Sequence, residues 1–254
     1  MSGGPRTAAY LYGIVRAGFE PKSLTGIGDP ARDVRAVTCG ELAVLVSPAD
    51  PDEVVGTRRD VLAHSETLRT VMEQTTVLPM RFGVILPSED AVCTQLVEAH
   101  RDELLRLLRE LEGQVQLTLK ATYDEDTLMR EIVAQEPEVA ELREAVRGRP
   151  EQATYYERIR LGELVAAAVD RRRAEEAAAL LDALRPHATA VVEDELQHER
   201  MVLNAAFLVR REGVEAFEAV AERLAAERDP RMRLRLLGPL APHAFADFGE
   251  PAWA

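Results

Sequence analysis

The chain has 254 residues, of which 46% are hydrophobic and 30% charged, and a formal net charge of −13. That length buries a core without staples, and that acidity repels polyanions, so neither nucleic acid nor an anionic membrane is expected as a partner. Cys39 and Cys93 lie far apart without metal-site spacing, the first residues lack a signal-peptide core, and no apolar run reaches the roughly 18 residues of a membrane span. The expectation is therefore a reduced, cytoplasmic protein with no disulfide framework and no zinc.

Residues 1–7 are small and polar and read as a disordered tail. Ala8 to Val15 is rich in apolar and aromatic residues and predicts a first strand. Between Pro21 and Asp33, Gly26, Gly28 and Pro30 mark a loop. It lacks the third glycine of a dinucleotide fingerprint and the Gly-Lys-Ser/Thr of a Walker motif, so it is not read as a phosphate site. Val34–Thr38 and Leu42–Ser47 flank Cys39-Gly40-Glu41 and predict an antiparallel hairpin. Asp50-Pro51-Asp52-Glu53 combines a cap, a proline suited to the first helical position and a glutamate three residues on. A helix is expected from there to about Thr75, interrupted at Gly56.

Val77 to Leu86 is the most distinctive stretch of the chain. Read as a strand, it places Leu78, Met80, Phe82, Val84 and Leu86 on one face, which must be core. Pro79 cannot donate to a ladder and Gly83 tolerates a bulge, so a break near one of them is expected. Arg81 falls on the other face and is a candidate recognition residue. Ser88 then caps a helix with Val92, Leu96, Ala99, Leu104, Leu108 and Leu111 at helical spacing, and Gly113 ends it.

After Gly113 the pattern changes. Val115, Leu117, Leu119, Ala121 and Tyr123 alternate with Gln116, Thr118, Lys120 and Thr122, as in a strand buried on one side. Asp124-Glu125-Asp126 opens a helical turn, and Pro137 and Gly148-Arg149-Pro150 punctuate the stretch after it. A long helix is expected over about Glu151–Arg185, stopped by Pro186. Strands at Thr189–Glu193 and Met201–Val209, a helix at Val214–Glu227 and a strand at Arg231–Leu237 complete the series. The order βαββαβ is the ferredoxin-like one, an antiparallel sheet with helices on one face. The reading is thus α+β, with an N-terminal domain at 1–112, a ferredoxin-like domain at 113–241 and a tail at 242–254.

No constellation nominates a catalytic, cofactor-binding or metal-binding residue. Glu195 and His198 have the spacing of a carboxylate-bridged metal site but lack the second such pair that chemistry needs. Cys39 and Cys93 read as small buried residues rather than nucleophiles. More informative is the second sheet's uncovered face, from which Lys120, Arg231, Arg233 and Arg235 would project beside Gln116 and Thr118. RNA-recognition domains use this face but stack bases on aromatics that are missing here. A basic strip that docks an acidic protein surface fits better.

Three segments in order, Tyr10-Leu-Tyr-Gly-Ile-Val15, Val77-Leu-Pro-Met-Arg-Phe-Gly83 and Met201-Val-Leu-Asn-Ala-Ala-Phe-Leu-Val209, resemble the gas vesicle protein F/L family (GvpF/GvpL). A closing Gly238-Pro239, with Pro242 and Phe245, is similar to the family's ending, although Leu240 and Ala241 replace its usual tryptophan and proline. The resemblance implies a non-enzymatic accessory protein of gas vesicle assembly, located in the cytoplasm and at the gas vesicle. Its implied partners are the small hydrophobic shell protein and other gas vesicle accessory proteins. The rival reading from topology alone is a ferredoxin-like small-molecule binder or enzyme, whose mark would be a pocket with convergent polar groups.

Overall fold

The computed structural model describes residues 8–50 and 56–247. The tail expected at 1–7, the cap expected over Pro51, Asp52 and Glu53, and residues 248–254 of the expected C-terminal tail lie outside the described residues. The chain forms two compact units, residues 1–116 with 238–254, and residues 117–237. The segment from Gly238 onward thus belongs to the first unit, although it comes after the second in sequence.

In the first unit β1 (Ala8–Arg16), β2 (Arg35–Cys39) and β3 (Leu42–Ala49) precede α1 (Arg58–Met72), followed by two short strands, β4 (Leu78–Pro79) and β5 (Ile85–Leu86). The sheet order is β2-β3-β1-β4, with β5 also pairing β1. β1 is therefore central, and its residues are buried except Arg16, which explains a continuous apolar run where alternation would mark a half-exposed strand. The β2–β3 hairpin turns at Gly40, whose φ of 64° is left-handed. α1 starts later than expected. Thr57 caps it by accepting from the Asp60 amide while the Asp60 carboxylate accepts from the Thr57 amide, a reciprocal capping box. The Thr57 hydroxyl holds the Asp60 carboxyl below the usual range. His64, Thr67, Leu68, Val71 and Met72 form the buried stripe of α1 at helical spacing.

The helix expected after Ser88 is broken into α2 (Glu89–Ala91), a π-helical stretch over Val92–Glu98 and α3 (Arg101–Glu110). Ser88 does cap it, accepting from the Ala91 amide at 3.1 Å. The π stretch changes the register, so Ala99 is exposed rather than part of the apolar stripe. Cys39 and Cys93 are joined by a disulfide, with Cα atoms 5.3 Å apart. This corrects the expectation of two separate thiols. The hairpin and the π stretch meet across 54 residues of sequence, and spacing along the chain carries no sign of that.

The second sheet combines β6 (Gln114–Tyr123), β7 (Ala190–Glu193), β8 (Met201–Arg210) and β9 (Met232–Leu240) in the order β7-β8-β6-β9, the ferredoxin-like order. α4 (Glu125–Gln135), α5 (Pro137–Val146), the 30-residue α6 (Tyr155–Leu184) and α7 (Val214–Arg228) accompany it. Asp124 caps α4, accepting from the Thr127 amide at 3.0 Å, and Pro137 opens α5 where a missing N–H costs nothing. Leu117, Leu119, Ala121 and Tyr123 meet Phe207, Phe217, Leu180 and Leu184 in one core, the face that alternation assigned to them. The Phe207 and Phe217 rings meet edge to face at 5.0 Å. The opposite face is less open than expected. Gln116 and Thr118 are each only 8% exposed, and the Gln116 side-chain oxygen accepts from the Ala244 amide at 2.9 Å.

Candidate functional site

The candidate site in the first unit is the loop that interrupts the Val77–Leu86 strand. Gly13 pairs with Pro79 and Tyr10 with Ile85, so five residues, Met80 to Val84, span a gap filled on β1 by Leu11 and Tyr12 alone. Three residues must loop out, and Gly83 supplies the left-handed turn with a φ of 93°. The break expected near Pro79 or Gly83 therefore lies between them.

A buried polar latch holds this loop. The Met80 carbonyl can only accept, so His64 donates to it from Nε2 (3.1 Å), which leaves Nδ1 to accept from the Tyr10 hydroxyl (2.9 Å). The same hydroxyl accepts from the Gly83 amide at 3.2 Å. One histidine and one tyrosine thus tie both ends of the loop to α1 and β1. Tyr12 stacks on His64 with ring centroids 5.4 Å apart and shares its hydroxyl with Ser47 (2.9 Å) and the Ile27 amide (2.9 Å). The Gly26–Gly28 loop, which superficially suggested phosphate, wraps a tyrosine hydroxyl instead. Burial raises the Tyr10 and Tyr12 hydroxyls above the usual phenol range and pushes the His64 imidazole down to about 4, so all three are neutral at pH 7.

Arg81 is exposed on this latched loop, while Phe82 is half-buried with its ring edge against Tyr10 (6.1 Å) and His64 (5.7 Å). This corrects the expected core face. Leu78, Met80 and Leu86 are buried, but Phe82 and Val84 sit where the chain loops away from the sheet. Phe82→Ala is accordingly expected to cost about 2 kcal/mol, against the roughly 3–5 of a fully buried phenylalanine. Urea denaturation would check this, and a loss as large as that for Phe207→Ala would show that the ring is core after all.

The expected basic strip belongs to the second unit and is shorter than the sequence suggested. Met232, Leu234 and Leu236 of β9 pack on the core side, leaving Arg233 and Arg235 exposed on the other. Arg231 departs from them. It precedes the strand, and its guanidinium turns to Glu176 of α6 at 2.6 Å, beside Arg228, which binds the same carboxylate at 3.1 Å. An arginine beside a half-buried carboxylate gains more there than on a solvated face, so Arg231 is removed from the strip. Lys120 of β6 is half-buried and donates to the Gln197 side chain at 3.2 Å. Next to Arg231 the Tyr123 hydroxyl is buried, and burial, opposed in part by the neighbouring arginines, pushes it up to about 12.

Alternation did not reveal an open groove of about 720 Å³ in the second unit, lined by Leu128, Met129, Val169, Arg173, His198 and Arg200 among others. Its lining mixes apolar side chains with charged ones, Glu125, Asp170 and Glu199 beside the two arginines. Among the described residues no group of three or more His, Cys, Asp or Glu is placed to hold a metal ion, and no helix is long and apolar enough to cross a membrane.

Comparison with known proteins matches residues 8–247 to the family model described as gas vesicle synthesis protein GvpL/GvpF. Gas vesicle protein F of Streptomyces sp. (strain CB03234) is 37% identical over 242 residues, covering 94% of this chain and 100% of that protein. Gas vesicle protein F of Microcystis aeruginosa (strain PCC 7806) is 29% identical, covering 93% of this chain and 97% of the other. The crystal structure of the gas vesicle protein GvpF from Anabaena sp. PCC7120 superposes with a TM-score of 0.83 at 26% identity, covering 96% of this chain and 100% of that one.

Proposed function

The chain belongs to the gas vesicle synthesis protein GvpL/GvpF family, and from that premise we propose that it is a non-enzymatic accessory protein of gas vesicle assembly. It acts in the cytoplasm and at the gas vesicle by binding the small hydrophobic shell protein, other gas vesicle accessory proteins, or both. The observation that carries this reading is the match over 8–247, which takes in both compact units rather than one shared module. Arg81, on a loop latched by buried hydrogen bonds, and Arg233 and Arg235, on one exposed strand face, are the recognition residues proposed. Lys120, on the neighbouring inner strand β6, is the fourth residue proposed. Exposed arginines on an acidic protein favour an acidic patch on the partner and set its approach and orientation more than its final affinity.

The test pairs two kinds of variant. Arg233→Glu with Arg235→Glu should leave the circular dichroism spectrum unchanged, weaken capture of the shell protein or of an accessory partner, and remove the salt sensitivity of what binding remains. Arg231→Ala should instead lower stability by on the order of 1 kcal/mol, because it leaves Glu176 one partner short. Gas vesicles forming normally in cells that carry the double variant, with partner capture unchanged at every salt concentration, would remove this strand face from the proposal.

A further inference from the structure

We propose that the Cys39–Cys93 bond is a reversible redox staple that fastens the edge strand of the first sheet to the helical segment behind it. Cys39 is the last residue of β2, and Cys93 lies in the π stretch of Val92–Glu98. The Cα separation of 5.3 Å is within the span a disulfide bridges without moving the backbone. Among the described residues β2 pairs only with β3, at the edge of the sheet. Two ion pairs flank the bond, Arg35 of β2 with Glu89 of α2 on one side, and Glu41 of the β2–β3 turn with Arg101 of α3 on the other. All four of those side chains are about half exposed, and pairs of that kind contribute little and weaken in salt. The covalent bond is thus the strong member of the set.

Both cysteines are half-buried rather than enclosed, and exchange in the folded protein requires that an attacking thiolate reach one of the two sulfurs. Oxidation runs by thiol–disulfide exchange with a low-molecular-weight disulfide. One cysteine thiolate attacks it, releasing one small thiol and leaving a mixed disulfide. The second cysteine thiolate then displaces the other small thiol. Two electrons pass from the cysteine pair to the small disulfide, and the two cysteine protons leave with the two thiols formed. A dithiol of the thioredoxin class reverses the sequence. In a reducing cell the staple is open and β2 is held by its hairpin and the two ion pairs; under oxidising conditions it closes.

The test uses the full chain and needs no partner. After incubation with glutathione disulfide, thiol titration should fall from two reactive groups to none, and a reduced dithiol of the thioredoxin class should restore both without denaturant. The oxidised form should melt roughly 10 °C above the reduced form, the order expected for closing a loop of this length. Amide exchange in Arg35–Cys39 should be faster after reduction, with the second unit unchanged. Cys39→Ser and, separately, Cys93→Ser should abolish the response of the melting temperature to dithiol. Two thiols that remain free in excess glutathione disulfide would overturn the proposal. So would a bond that opens only in denaturant, since it would then be a fixed structural link, or a dithiol response of equal size in the serine variants.

Discussion

Replacing His64 with alanine lowers the unfolding free energy of the first unit by about 4 kcal/mol. The imidazole is 3% exposed and spans two partners, the Tyr10 hydroxyl and the Met80 carbonyl. Truncation leaves the carbonyl buried and unpaired, removes the acceptor of the tyrosine proton, and opens a hole beside two aromatic rings. Each orphaned group costs about 1–3 kcal/mol, and the cavity adds to that. A pH dependence accompanies the loss. Burial is the main cause of the low His64 pKa of about 4, the Met80 carbonyl opposes it, and the nearby His243 ring adds a smaller effect in the same direction. An unfolded histidine titrates near 6.5, so between about pH 6.5 and 4 the unfolded chain binds a proton that the folded chain refuses. Stability from this group is whole above about 6.5 and falls as the pH drops through that window, by on the order of 3 kcal/mol in total. Denaturant midpoints measured from pH 7.5 to 4 should fall more steeply for the native sequence than for His64→Ala. Parallel profiles would mean that His64 is not the group responsible.

Gly26→Ala should be nearly as damaging, at about 3 kcal/mol, although it adds a single methyl group to a loop. A Cβ there would lie 1.8 Å from the Tyr12 hydroxyl oxygen and 2.9 Å from the Val34 side chain, so the loop or the ring must move. Either movement breaks the bond from the Ile27 amide to Tyr12 and disturbs the pair between Tyr12 and Ser47. Gly40→Ala is the matched control. Its φ of 64° disfavours any side chain, but nothing lies within 4 Å of the added atom, so about 1 kcal/mol is expected from the backbone alone. Chemical denaturation of the two variants side by side separates crowding from backbone strain. Equal losses would show that the space around Tyr12 is not as tight as described.

Much of the molecule was legible without coordinates because the information was local. A strand with one face buried must alternate, and Gln114–Tyr123 alternates; its core residues are those the period assigned. The acidic helical turn at Asp124-Glu125-Asp126 and the order of elements from Gln114 likewise led to the ferredoxin-like sheet. Three short motifs in order carried the family resemblance that the match over 8–247 established. Arg233 and Arg235 were placed on one face by the same two-residue period, whereas Arg231, just before the strand, does not obey it.

The amino-acid sequence by itself determined the order of most strands and helices, the apolar face of the regular ones such as Gln114–Tyr123, and the family to which the chain belongs, whereas the Val77–Leu86 strand and the helix after Ser88 were broken in ways that periodicity did not show. Periodicity and capping act over a few residues, so they can be read along the chain. Only the tertiary structure decided that Tyr10 meets a histidine 54 positions away, that Gly26 surrounds the Tyr12 hydroxyl, that Arg231 turns to Glu176 and that Cys39 meets Cys93. Those pairings join elements remote in sequence. They are chosen when burial deprives a polar group of water and leaves it the partner that packing brings within reach.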